Sequence, residues 1–135
     1  METLLYVSSS RIDPAVAEET VAAIVAASIP RNTARGLTGS IIFTGTHFAQ
    51  ILEGAPEMID RLLPSLEADD RHGDIIIVAR SPLPARRFAQ WSMAYSGPSQ
   101  FIGRQINRVV NDPSPPELRR AAGWLTDVMQ EFAAR

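Results

Sequence analysis

Residues 36–54, GLTGSIIFTGTHFAQILEG, restrict the possible folds of this chain more than any other stretch. Two apolar runs, residues 41–43 and 48–52, flank Thr44-Gly45-Thr46-His47. Gly45 supplies the backbone freedom that a tight connection needs, so the pattern predicts a β-hairpin. Side chains alternate across a strand, which puts Phe48, Gln50 and Leu52 on one face. An amide then sits between two large apolar residues. It has four hydrogen-bond valences and is costly to bury unpaired, so the fold must give Gln50 a partner.

The remaining elements follow from periodicity and punctuation. Residues 3–9 read as a first strand, with Leu4, Tyr6 and Ser8 on one face and Leu5 and Val7 on the other. Both faces are apolar enough to predict a central strand covered on both sides. Asp13-Pro14 predicts a helix start, with Asp as N-cap, Pro at the first helical position and Glu18 and Glu19 early. Ala17, Val21, Ile24, Val25 and Ser28 fall at helical spacing. Pro30 is expected to end this helix, leaving residues 31–35 as a polar turn that carries Asn32. Pro56 opens a second helix striped by Ile59, Leu62, Leu63 and Leu66. Pro64 inside it predicts a kink or an early break, because proline donates no N–H and clashes with the preceding turn. Residues 69–73 read as a charged turn, 75–79 as a short apolar strand and 87–96 as the last strand, with Trp91, Met93 and Tyr95 on one face.

The order β-α-β-β-α-β-β, with two helices on one face of a mixed sheet, is the α+β, ferredoxin-like sandwich. Two further amphipathic segments follow. One carries Phe101, Ile102, Ile106, Val109 and Val110. The other carries Leu118, Ala122, Leu125, Val128, Met129 and Phe132. They are too apolar for a free tail and are expected to cover the open sheet face or to pack on a second subunit.

Composition removes several function classes. The 135 residues are 45% apolar, which suits one domain with one core. Cysteine is absent, which excludes disulfides, thiolate catalysis and Cys-based metal sites, and two histidines exclude a His-rich metal cluster. All 13 basic residues are Arg, so Schiff-base chemistry on lysine is excluded too. A net charge of −2 without a basic block disfavours direct nucleic-acid or anionic-membrane binding. No apolar stretch approaches the roughly 18 residues of a membrane span. No signal peptide opens the chain, so a cytoplasmic protein is expected.

The polar groups aimed at the helix-covered face are Tyr6, Ser8, Gln50, Trp91 and Met93, with Asn32 at the turn after the first helix. This set contains no carboxylate pair, Ser-His-Asp arrangement or metal site. Amides, a phenol, an indole and a thioether suit a planar heterocycle with alternating donors and acceptors. Taken singly, each has a plainer reading. Tyr6 would be a core tyrosine, Trp91 and Met93 core filler, His72 a solvated turn residue and Asn32 a turn former. Arg35, Arg86 and Arg87 read as solvated surface.

Together, five stretches resemble BLUF domains, blue-light sensors that use a flavin. They are Tyr6-Val7-Ser8, Asn32 followed by Gly36-Leu37-Thr38-Gly39, residues 48–54 (FAQILEG), Asp69-Asp70-Arg71-His72, and Arg87-Phe88 with Trp91-Ser92-Met93. The resemblance covers residues 3–96, and FxQxLEG with WxM downstream is its most specific part. It implies residues 1–97 as the flavin-binding domain, residues 98–135 as a C-terminal helical extension, and a sensor without chemical turnover. It also implies non-covalent FAD, with FMN or riboflavin as alternatives, held between the first two helices.

Carried over by motif, Tyr6 would hydrogen-bond Gln50, and Gln50 would contact flavin N5 and O4. Asn32 would bind the O4 and N3 edge, with Arg31 near the C2 carbonyl. Ile24 and Ser28 would line the ring, as would Ser8, Phe48, Leu52 and Met93. Asp69, Arg71 and His72 would sit at the ribityl and phosphate end. Light would move an electron and a proton from Tyr6 through Gln50 to the flavin, leaving the amide rotated or tautomerised. The altered bond would propagate through the last strand, where Trp91 and Met93 compete for the site near Gln50. The resemblance implies a separate downstream protein as signalling partner. A homo-oligomer is expected as well, through Leu118, Leu125 and Phe132. The alternative is a flavin-free ferredoxin-like interaction module. A small acylphosphatase-like hydrolase fits less well, because Arg11 and Asn32 do not reproduce a phosphate-cradling loop.

Overall fold

The computed structural model describes residues 1–89, 91–96 and 100–133, with the side chains of 91–96, 100 and 133 outside that description. Its strands are β1 (Glu2–Ser10), β2 (Thr38–Phe43), β3 (His47–Gly54), β4 (His72–Pro82) and β5 (Trp91–Ser96). Its helices are α1 (Ala17–Ala34), α2 (Pro56–Ala68), α3 (Gln100–Asn111) and α4 (Pro115–Ala133). They form one sheet in the order β4-β1-β3-β2-β5. The first four strands pair antiparallel, and β5 joins β2 in parallel. This is the ferredoxin-like α+β arrangement with two added helices. The hairpin closes at Phe43–Phe48, with Gly45 at φ 99° in its turn.

The two faces of the sheet hold separate cores. Leu5, Val7, Ile42, Ala49, Ile51 and Val78 pack with Ile102, Ile106 and Val109 of α3 and Leu125 and Met129 of α4. The last two helices therefore cover the face that α1 and α2 leave open. On the other face Leu4, Ile41, Phe43, Phe48 and Leu52 pack with Val21 of α1 and Ile59 and Leu62 of α2. β1 is buried from Thr3 to Ser8, as a central strand covered on both sides must be.

Helix ends differ from the sequence reading. Asp13 accepts the Ala15 N–H at 3.0 Å, but it caps a single 3-10 turn, Pro14–Val16, that precedes α1. Pro30 lies inside α1, which runs on to Ala34. Proline's fixed φ is helical, and packing of α1 on the sheet offsets the lost N–H and the clash with the preceding turn. The true stop is Gly36, left-handed at φ 66°. Its N–H donates to Thr33 O at 3.1 Å and the Leu37 N–H to Asn32 O at 2.8 Å. Those two bonds and the buried Leu37 make a Schellman ending. Asn32 consequently belongs to the last turns of α1 and not to a turn after it. Pro64 likewise sits within an unbroken α2, so the early break does not occur. β4 begins at His72 and spans 11 residues, which removes His72 and Gly73 from the charged turn. β5 starts at Trp91, not at Arg87.

Candidate functional site

Between α1 and α2 lies a cleft of about 650 Å³, counted to its open mouth. Its floor is the sheet, through Tyr6, Ile41, Phe48 and Gln50. One wall is Ile24, Ala27, Ser28 and Arg31 of α1, and the other is Leu62, Ser65, Leu66 and Asp69 at and just beyond the end of α2. Each wall follows the spacing i, i+3, i+4, i+7, one face of a helix. Arg71 and His72 complete the lining.

The floor is organised by strand pairing. Tyr6 and Gln50 are direct partners across β1 and β3, and alternation aims both into the cleft. The Tyr6 hydroxyl donates to Gln50 Oε1 at 2.5 Å, with both residues buried. This bond gives the buried amide the partner it requires. Burial pushes the Tyr6 phenol well above its ordinary value, the charge of Asp69 adds to this, and Arg31 acts the other way. Tyr6 is therefore held as a neutral hydrogen-bond donor.

His72 is buried and clamps two elements together. Its Nε2 lies 2.7 Å from Leu66 O, an acceptor only, so Nε2 carries the proton. Its Nδ1 lies 2.7 Å from Ser8 Oγ and accepts from that hydroxyl in the neutral ring. The ring also packs edge-on to Phe48, with centroids 6.2 Å apart. At the mouth Arg71 donates to both oxygens of Asp69, at 2.9 Å from Nε and 2.7 Å from Nη2. Those hydrogen bonds hold the Asp69 carboxyl below the usual range. On α1, Arg31 Nη2 donates to Ser28 Oγ at 3.2 Å, and Ser28 donates to Ile24 O at 2.7 Å.

Eight of the predicted site residues line the cleft together with Tyr6: Ile24, Ser28, Arg31, Phe48, Gln50, Asp69, Arg71 and His72. Ser8, Asn32 and Leu52 do not. Ser8 sits behind His72, and Leu52 is packed in the core beneath α2. Asn32 is fully buried one turn beyond Ser28, and among the described residues neither its Oδ1 nor its Nδ2 has a partner. The side chains of Trp91 and Met93 lie outside the described residues. Ala27, Ile41, Leu62, Ser65 and Leu66 line the cleft without having been expected there. Extending each helical stripe by i+3 and i+4 would have found all but Ile41.

The sequence profile of the family described as "Sensors of blue-light using FAD" matches residues 1–94. The chain belongs to the BLUF family. It is 33% identical over 93 residues to the blue light- and temperature-regulated antirepressor BluF of Escherichia coli K12, covering 69% of this chain and 23% of that protein. It is 27% identical over 114 residues to the photoactivated adenylate cyclase subunit alpha-like protein ST- of Euglena gracilis, covering 84% of this chain and 10% of the other. The chain thus spans less than a quarter of the length of these curated relatives. Its fold superposes on the dark-state structure of the BLUF protein BlrB with a TM-score of 0.70 at 29% identity, over 99% of this chain and 96% of that one.

BLUF domains bind a flavin, FAD by the family's description, and this cleft fits one. It has an apolar bed and a paired amide on its floor, and one turn beyond Ser28 of its α1 wall lies a second buried amide with both atoms unsatisfied. A buried polar group without a partner costs free energy, so the Asn32 amide retains a donor and an acceptor for a further group. Among the described residues no helix is long and apolar enough to cross a membrane.

Proposed function

We propose that the Tyr6–Gln50 pair is the photoswitch of this blue-light receptor, and that light changes its hydrogen bonding without chemical turnover. The observation that carries this is the 2.5 Å bond between the two side chains on the floor of the cleft. Ile24, Ser28 and Phe48 would bed the flavin ring, and Asn32 and Gln50 would address its imide edge. Arg31 would stand beside that edge, with Asp69 and Arg71 toward the mouth. His72, with both ring nitrogens engaged, would offer its ring face and edge. Bound FAD would supply the absorption of blue light and an excited state that accepts an electron; FMN or riboflavin would do the same.

In the resting arrangement the Tyr6 hydroxyl donates, so Gln50 must present Oε1 to it and turn Nε2 away. A phenol in a dry, low-dielectric site loses an electron readily only if its proton leaves as well, and Oε1 is the acceptor in contact. Gln50 is also the one group on this floor whose donor and acceptor ends exchange by rotation. After rotation or tautomerisation it presents a donor to Tyr6, which must then accept. The pair thus has two self-consistent states.

Residues 1–97 would form the sensing unit and 98–135 an extension that hands the signal to a separate protein partner or to a second copy of the chain. A cytoplasmic setting belongs to the same reading. Purified protein is expected to be yellow and to show a small, reversible red shift of flavin absorption under blue light. Tyr6→Phe and Gln50→Leu should each keep the flavin and abolish the shift. A full shift in either variant would discredit the switch, and a colourless protein that takes up no flavin would remove the whole reading.

A further inference from the structure

We propose that Glu53 is a positioning residue that sets the register of β5 against the Tyr6–Gln50 row. Glu53 has no solvent exposure. It sits in the row Thr3–Glu53–Thr38 across β1, β3 and β2. By alternation it shares the face of Ala49 and Ile51, opposite the cleft. Its partners lie on the segment that carries the chain from β4 at one edge of the sheet to β5 at the other. Oε1 accepts the Phe88 N–H at 2.9 Å and the Arg87 N–H at 3.0 Å. Oε2 accepts the Arg87 N–H at 3.1 Å and its Nε–H at 3.4 Å.

The neighbouring side chains tighten the same knot. Arg87 Nη2 donates to Thr3 Oγ1 at 3.0 Å. Arg86 Nη1 donates to Thr38 Oγ1 at 2.7 Å and to Glu53 O at 3.0 Å, and its Nη2 donates to Gly36 O at 2.8 Å. Phe88 is buried in the closed-face core. Sequence pattern alone makes both arginines solvated surface. Both remain exposed, but both are engaged.

β5 needs an external reference. It is short, lies at the sheet edge and, among the described residues, pairs with β2 alone, with an irregularity between Ile41 and Ile42. A strand with one partner is prone to slip, and a slip of one residue turns every side chain to the other face. Trp91 pairs with Gly39, next to Thr38, so β5 is counted from the point where Glu53 pins Arg87 and Phe88. Gly39 is itself fixed, because its φ is 152° and a Cβ there would meet Ile51 O. One continuous row then runs Tyr6–Gln50–Ile41–Met93 through the four paired strands. The register of β5 decides which of its residues joins that row. This consequence for the light signal rests on the photoswitch reading; the register claim does not.

The test is amide hydrogen exchange on the full flavin-loaded chain in the dark, comparing wild type with Glu53→Gln. The substitution keeps shape and one acceptor but turns an NH2 toward backbone N–H donors. Amides of residues 91–96 should exchange at least about tenfold faster, with β1 and β3 amides within about twofold of wild type. Equal loss across all strands, or unchanged protection of β5, would overturn the proposal. Arg86→Gln leaves the carboxylate in place and should give a smaller loss in the same six residues, which covers the case of an unfolded Glu53 variant; no β5-selective loss there also counts against it. In light, Glu53→Gln should change the dark-recovery rate at least about threefold with flavin retained, and an unchanged rate would break the link to the switch. Selective β5 exchange in a protein whose wild type shows no light shift would sustain the register claim and remove the photoswitch reading.

Discussion

One sheet serves two unlike faces. The α3/α4 face is closed mainly by aliphatic side chains from strand and helix alike, with Ile42, Ile51, Ile106 and Met129 all fully buried beside a groove lined by Thr3, Arg87, Thr126 and Asp127. The α1/α2 face is made by the alternate residues of the same strands, yet it carries Tyr6 and Gln50 between its apolar positions and stands open as a cleft. The difference teaches where stability and function are divided. Apolar burial contributes about 1.5–3 kcal/mol per large side chain, and the closed face collects a full share of it. That leaves the open face free to hold buried polar groups whose partners are incomplete until a ligand arrives.

Truncations on the two faces should separate sharply. Leu125→Ala on the closed face is expected to cost about 3 kcal/mol of unfolding free energy, because its cavity cannot collapse between sheet and helix. Ile24→Ala, on the half-open wall, should cost under about 1 kcal/mol while weakening flavin retention. Equal losses in denaturant titration would erase the proposed division.

The His72 clamp offers the next contrast. His72→Phe keeps the ring but strands the Ser8 hydroxyl and Leu66 carbonyl, and should cost about 1–2 kcal/mol with flavin still bound. Loss of flavin at unchanged stability would mean instead that His72 serves the ligand.

Asn32 should behave in the opposite way. Its amide has no partner among the described residues, so Asn32→Ala should leave flavin-free stability unchanged or raised. Flavin affinity should fall about tenfold, the value of about 1.4 kcal/mol of lost hydrogen bonding. A destabilised flavin-free protein with normal affinity would assign Asn32 to the fold.

The smallest effect is alkaline. The Tyr6 phenol is raised in the folded state, chiefly by burial. Below the ordinary tyrosine value both states are protonated and its contribution is fully present. As pH rises past about 10 the unfolded chain ionises first, so stability falls, by at most about 1.4 kcal/mol per pH unit from this group. Tyr6→Phe should show a shallower decline from pH 9 to 11 in chemical denaturation; an identical slope would mean that Tyr6 titrates like a solvated phenol.

The strands were legible because alternation reports burial directly. Leu4, Tyr6, Phe48 and Gln50 fall on the cleft side simply by being even-numbered in paired strands. Helix ends were less legible. Pro30 and Pro64 look like stops, but packing on the sheet offsets the lost hydrogen bond and the clash of each and carries both helices through. The Gly36-Leu37 stop was written in the sequence and was overridden by the more conspicuous proline. The burial of His72 and the engagement of Arg86 and Arg87 escape the local pattern for another reason. Their partners at Ser8, Thr38 and Glu53 stand far off in the chain, and no local pattern announces a contact of that range.

By itself the amino-acid order determined the sheet-and-helix sequence, the face on which Tyr6 and Gln50 lie, and membership of a flavin-binding family through five spaced stretches. Those follow from properties of adjacent residues: pleat, helical pitch and side-chain chemistry. Only the tertiary structure decided that Tyr6 and Gln50 are register partners, that Asn32 is buried with its amide unmet, and that Glu53 ties down the approach to β5. Each depends on which strand lies beside which, and that choice is made by the packing of two cores on one sheet.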